Sequence, residues 1–176
     1  APFSPSLTEL FSTHDEAVFD YISFRSDLEG MAAERVANLG SETDLKVIQA
    51  IFDKMKVAHD NKDSSEEASL DAQFHMAIIE ASHNVFLLHM VRSMFEMLKK
   101  GVFYNRQVMF SRHTTRGTLL EQHRSICNAI QNRNAKGARK AIEDHMDFIK
   151  TCMQEVKKAE ANEEIAKLRL DHTTTS

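Results

Sequence analysis

Residues 119–152 read LLEQHRSICNAIQNRNAKGARKAIEDHMDFIKTC, and their periodicity decides the fold class. Leu120, His123, Cys127 and Ile130 recur at spacings of three, four and three. Past a break near Arg133, the run Ala138, Ala141, His145, Phe148 and Cys152 repeats the pattern. Apolar residues three and four apart share one face of a helix, so two amphipathic helices follow each other. The connection is short, which makes them antiparallel neighbours.

The same period extends towards the start of the chain. Thr13 with Glu16 forms a capping box for a helix carrying Phe19, Ile22 and Leu28, which Gly40 ends. Ser41 to Thr43 cap a second helix, striped by Val47, Ile48, Ile51, Phe52 and Met55. A third starts at Ser64 or Ser65 and carries Leu70, Phe74, Ile78 and Ala81. After Ser82–Asn84 comes a long Met- and Phe-rich helix, from about Val85 to Phe110, apolar over more than one face. Such a helix is expected to be central or to lie at an interface. Residues 1–12 hold both prolines and read as a linker or docking arm, residues 13–158 as one helical domain, and residues 159–176 as a charged, Thr-rich tail. The prediction is an all-α, antiparallel bundle of six to seven helices.

Composition agrees. Five glycines and two prolines in 176 residues are about 4%, where about 12% is usual, too few turn formers for a sandwich or barrel. With 42% hydrophobic and 27% charged residues, the chain is neither disordered nor membrane-spanning. No apolar run reaches the roughly 18 residues of a transmembrane helix. The net charge is −4 with no Lys/Arg block, so these residues alone offer little to a phosphate backbone. Cys127 and Cys152 sit inside helical patterns and read as reduced thiols of a cytoplasmic protein.

The chemistry lies in histidines that occupy positions usually filled by leucine. His123 and His145 stand near the middle of two inward stripes on consecutive helices. A buried imidazole gives up its hydration, and it recovers the loss either through a hydrogen-bonded neighbour or by sharing a metal. On the third helix Asp71 and His75 are four apart and share a face. A similar pair, His59 and Asp63, reads as a solvated helix end. Three imidazoles and one carboxylate suit Zn²⁺, Ni²⁺, Mn²⁺ or Fe²⁺, with zinc or nickel foremost. Arg25 could receive a carboxylate bidentately, or pair with Glu29 one turn on. Arg106 is a second candidate of that kind.

Four segments carry a resemblance: Arg25-Ser-Asp-Leu-Glu29, Asp71-Ala-Gln-Phe-His75 with Ala81-Ser-His-Asn84, Glu121-Gln-His123, and Ala138-Arg-Lys-Ala-Ile-Glu-Asp-His145. In order and spacing they resemble the carboxy-terminal effector domain (FCD) of the FadR subgroup of GntR-family bacterial transcription regulators, especially the lactate- and glycolate-responsive members. The resemblance implies an effector-binding and homodimerising helical domain. It also implies one divalent ion on Asp71, His75, His123 and His145 that meets a small carboxylate such as lactate, glycolate or pyruvate. Arg25 and Arg106 would bind that effector. Nothing in these residues resembles the family's amino-terminal winged helix-turn-helix, so DNA binding is expected to belong to a parent protein.

Three rival readings stand at the level of sequence. A metalloenzyme needs a general base, and Glu121 and Asp144 are turned away from the stripes. A ferritin-like di-iron bundle needs two Glu-x-x-His pairs, and only Glu80 with His83 fits. No enzyme activity is expected. A purely structural dimerisation module is the other alternative.

Overall fold

A computed structural model describes residues 14, 16–92, 99, 106 and 115–174. Among them the regular structure is all helix, with no strand. Helix α1 spans Ala17–Leu39, α2 Glu42–Asp60 and α3 Ser64–Ala81. Residues 85–92 are helical (α4), as are Lys99 and Arg106. Helix α5 spans Arg116–Gln131 and α6 Ala135–Thr174. The expected arm over residues 1–12, the capping residue Thr13, and most of the helix expected over residues 85–110 lie outside the described residues.

The starts and stops follow local chemistry. Ser41 and Asp44 close a reciprocal capping box at the start of α2, with Asp44 N–H donating to Ser41 Oγ at 3.1 Å. Asp63 caps α3 by accepting from Glu66 N–H at 3.0 Å. Glu16 occupies the cap position of α1, without a side-chain cap bond. Gly40 does end α1, in extended geometry at φ −60°. What demands glycine there is closeness, since a Cβ would stand 2.7 Å from the Val36 carbonyl oxygen.

Helix α1 lies along α6, α2 packs on α3, and α5 contacts both α6 and α2. The central element is α3, buried on nearly every side through Leu70, Ala72, Phe74, Ala77, Ile78 and Ile79. The sequence offers the Met-rich segment for that place or for an interface. Where it is described, that segment is two-sided: Leu87 and Val91 are buried, while Val85 and Phe86 are 79% and 76% exposed. The buried stripe of α6 runs through Ile142, His145, Ile149 and Met153. Ala141, Phe148 and Cys152 pack half-buried at its edge, so the stripe is one residue wider than the pattern suggests. Nor does α6 stop near Val156: residues 159–174, expected as a tail, continue the helix to Thr174 and are exposed apart from the half-buried Ala159.

Candidate metal centre

Helices α3, α5 and α6 deliver the three histidines to one buried point. His75 is 0% exposed, His123 0% and His145 1%, and one nitrogen of each ring lies within 4.8 Å of those of the other two. Asp71 joins them. Its Oδ1 lies 3.2 Å from His75 Nε2 and 3.2 Å from His123 Nε2, and those two nitrogens are 3.3 Å apart. Two ligands about 2.0–2.1 Å from a zinc-like ion lie about 2.9–3.4 Å apart, between octahedral and tetrahedral angles. The triangle of donor atoms has that size.

The outward nitrogens explain why the inward ones converge. His123 Nδ1–H donates to the Leu119 carbonyl oxygen at 2.6 Å, and a carbonyl can only accept. His145 Nδ1–H donates to Gln122 Oε1 at 2.7 Å, and His75 Nδ1–H donates to Glu29 Oε2. With the outward nitrogens protonated, each Nε2 presents a lone pair to the centre. His145 Nε2 is buried with no hydrogen-bond partner. Lone pairs crowded against a carboxylate oxygen repel unless a proton or a metal ion lies among them. The residues therefore fit a divalent ion, through a donor set of three imidazoles and one carboxylate.

Charges around the cluster are arranged in chains. Arg106 Nε donates to Asp71 Oδ2 at 2.6 Å, on the oxygen turned away from the histidines. Glu67, 4% exposed, takes up Arg106 Nη1 at 3.5 Å and also Arg116. Burial pushes the Asp71 carboxyl up, but Arg106 and the His123 and His75 rings outweigh it and hold it well below the usual range. Arg25 Nε donates to Glu29 Oε1 at 2.9 Å, and Glu29 reaches across to His75. Burial again acts upwards on Glu29, yet Arg25 and His75 bring it down to about 2. For His75, burial favours the neutral ring, and Glu29 and Asp71 overcome it to raise the pKa above 6.5. His145 goes the other way, far below 6.5, through burial first and then repulsion from the other two rings.

Of the four ligands expected from spacing, the three histidines form one cluster, and Asp71 Oδ1 stands against two of them, His75 and His123. Of the two arginines, Arg25 forms the one-turn pair with Glu29, and its Nη2 remains buried without a partner. Arg106 is committed to Asp71 and Glu67. His59 and Asp63 stand apart, Asp63 as a cap and His59 with its Nδ1 3.8 Å from Glu67. Sequence reasoning missed Glu67 and Gln122, and saw Glu29 only as a partner for Arg25. Glu67 lies four residues before Asp71, as His75 lies four after it, and that face was legible. Glu29 falls on the apolar stripe through Ile22, Ala33 and Val36, a place a solvated acid does not occupy. Gln122 has no such signal.

Residues 20–148 match the sequence profile of the FCD domain. The chain belongs to the FCD domain family. The Glc operon transcriptional activator of Escherichia coli (strain K12) is 33% identical over 153 residues, 85% of this chain and 60% of that protein. A protein of the same strain, named for regulating the L-lactate dehydrogenase operon, is 33% identical over 148 residues, 84% of this chain and 56% of its own length. The transcriptional regulator LutR of Bacillus subtilis (strain 168) is 30% identical over 139 residues, covering 78% and 63%. This FCD domain spans about 60% of the length of these curated relatives. By name they are transcription regulators rather than enzymes. In fold the domain is similar to a solved Streptococcus agalactiae GntR protein, with a TM-score of 0.66 at 22% identity, covering 82% of this chain and 63% of that one.

Proposed function

We propose that this FCD domain is the metal-dependent sensor and dimerisation domain of a cytoplasmic bacterial GntR-type transcription regulator. Its effector is a 2-hydroxy or 2-oxo carboxylate such as lactate, glycolate or pyruvate. The observation that carries this reading is the buried cluster of the three histidine rings, with Asp71 Oδ1 against His75 and His123 and His145 Nε2 left without a hydrogen-bond partner. Zinc or nickel bound there would supply a Lewis-acidic centre for two oxygens of the acid. Charge supports an anionic ligand. Three arginines (25, 106 and 116) face three carboxylates (Glu29, Glu67 and Asp71), so a divalent ion leaves two positive charges uncompensated. The buried, unpartnered Arg25 Nη2 is a ready donor for a carboxylate. Arg106, which holds Asp71, would be the second arginine to offset the charge of the acid. The lactate and glycolate choice rests on the family resemblance and on the relative named for the L-lactate dehydrogenase operon. DNA binding would come through an amino-terminal winged helix-turn-helix that is not among these residues.

Calorimetry on metal-loaded and metal-stripped protein tests the sensor. Lactate, glycolate or pyruvate is expected to bind the loaded form at least tenfold more tightly. Equal affinity in both preparations, or no heat from any small hydroxy or oxo acid at millimolar concentration, would defeat it. A ligand can bias the regulator only by its differential affinity for two arrangements of the domain, and helices α1, α3, α5 and α6 meet at this point.

Dimerisation has separate support. Among the described residues, Val85 and Phe86 leave an apolar patch exposed on α4. A twofold homodimer is the expected solution species, and light scattering at tens of micromolar should give about twice the chain mass. A monomer mass there would remove the dimerisation role.

A further inference from the structure

The three imidazoles are not held alike. His123 and His145 donate their outward N–H groups to neutral acceptors, the Leu119 carbonyl and the Gln122 amide, both supplied by α5. His75 alone donates to a carboxylate, and that carboxylate comes from α1, 46 residues away in sequence. Glu29 is 1% exposed and divides its two oxygens, Oε1 to Arg25 and Oε2 to His75. If the Arg25–Glu29 pair served only α1, it could be made at the helix surface, where one-turn pairs cost little. Burying two charges is expensive, and apolar residues of similar volume usually serve packing as well or better. The second oxygen gives the buried pair a use beyond the helix.

The geometry points to Glu29 as a positioning residue of the metal centre, resting on the metal reading above. Its carboxylate fixes the His75 ring with Nε2 inward and makes that nitrogen a stronger donor than either neighbour. Carboxylate partners of ligating histidines do both. Arg25 in turn fixes Glu29, so the chain Arg25–Glu29–His75 makes α1 an outer part of a centre whose ligands all stand on other helices. Occupancy of the centre and the seating of α1 are then coupled through one side chain.

The test is Glu29→Gln, which keeps the volume and removes the charge. Zinc affinity, read by competition with a chromophoric chelator, is expected to weaken 10–100-fold. The visible absorption of the cobalt-substituted protein should shift with it. A core variant on α2, which carries none of the proposed ligands, Ile48→Val, lowers melting temperature but should keep zinc affinity within twofold, which separates positioning from general softening. Should Glu29→Gln fail to fold because Arg25 is left unpaired, the double variant Arg25→Met/Glu29→Gln removes the orphan charge and carries the same expectation. Unchanged zinc affinity and cobalt spectrum in either folded variant overturn the proposal while leaving the metal centre intact. A wild-type chain that takes up no metal overturns the metal reading and this proposal together.

Discussion

His123→Ala is expected to reduce bound metal from about one equivalent per chain to less than a tenth. Its Nε2 is one corner of the triangle with Asp71 Oδ1 and His75 Nε2, and the ring is fully buried, so no solvent-facing group can take its place. His59→Ala should leave metal content unchanged, because His59 stands beside Glu67, away from the three rings. Elemental analysis after dialysis reads both. Metal that binds only the folded state adds stability by mass action, about 4 kcal/mol when free metal is a thousandfold above its dissociation constant. For a chain of this size that is about 10 °C in melting temperature, at 2–4 °C per kcal/mol. A chelator should therefore lower the melting temperature of the wild type and not that of His123→Ala. Full metal content in the variant would remove His123 from the ligand set.

The sign of the pH dependence follows from the same geometry. Metal and proton compete for the inward nitrogens. His75, raised above 6.5 by Glu29 and Asp71 in spite of burial, takes a proton before His145 as pH falls. His145, held far below 6.5 by burial and its neighbours, stays open to metal after His75 has closed. Metal affinity should then decline on acidification, beginning above pH 6.5. In stripped protein the raised His75 pKa works the opposite way. Its contribution to stability is complete below the unfolded value near 6.5 and is lost as pH rises through the folded one. The melting curves of loaded and stripped protein should converge as pH falls.

How much of this was legible depended on whether a residue's role shows in its spacing. Helical stripes and scarce turn formers sufficed for an all-α bundle, since burying one face repeats every three or four residues whatever the neighbours are. The ligands were legible for the same reason: His123 and His145 interrupt apolar stripes, and Asp71 and His75 share a face of α3. Glu29 was visible only as a partner for Arg25, because a one-turn pair is a complete explanation until the third dimension supplies His75. The far end of α6 escaped for a different reason. Residues 159–170 are mostly Ala, Glu, Lys, Leu and Arg, strong helix formers, but they carry no buried stripe. A reading that looks for burial sees a tail where propensity alone sustains a helix.

Phe74 closes the core beneath the site, and Phe74→Ala is expected to cost about 3–5 kcal/mol, the usual range for emptying an aromatic position in a closed core. The ring is 0% exposed and is among the largest fully buried side chains. Its centroid lies 6.4 Å from that of Phe52 on α2 and 5.3 Å from that of His123 on α5, so it joins three helices beneath the histidines. At 2–4 °C per kcal/mol the melting temperature should fall by about 10 °C or more in stripped protein. Metal affinity should fall less than tenfold. The hydrogen bonds from His123 to Leu119 and from His75 to Glu29 orient both rings without help from Phe74. Saturating metal should therefore restore part of the lost melting temperature, which it cannot do for His123→Ala. A stability loss under about 1 kcal/mol would mean that the cavity collapses at little cost, a result at odds with a rigid floor under the rings. Loss of metal binding as complete as in His123→Ala would show that packing against Phe74, rather than the outward hydrogen bonds, aims the ligands.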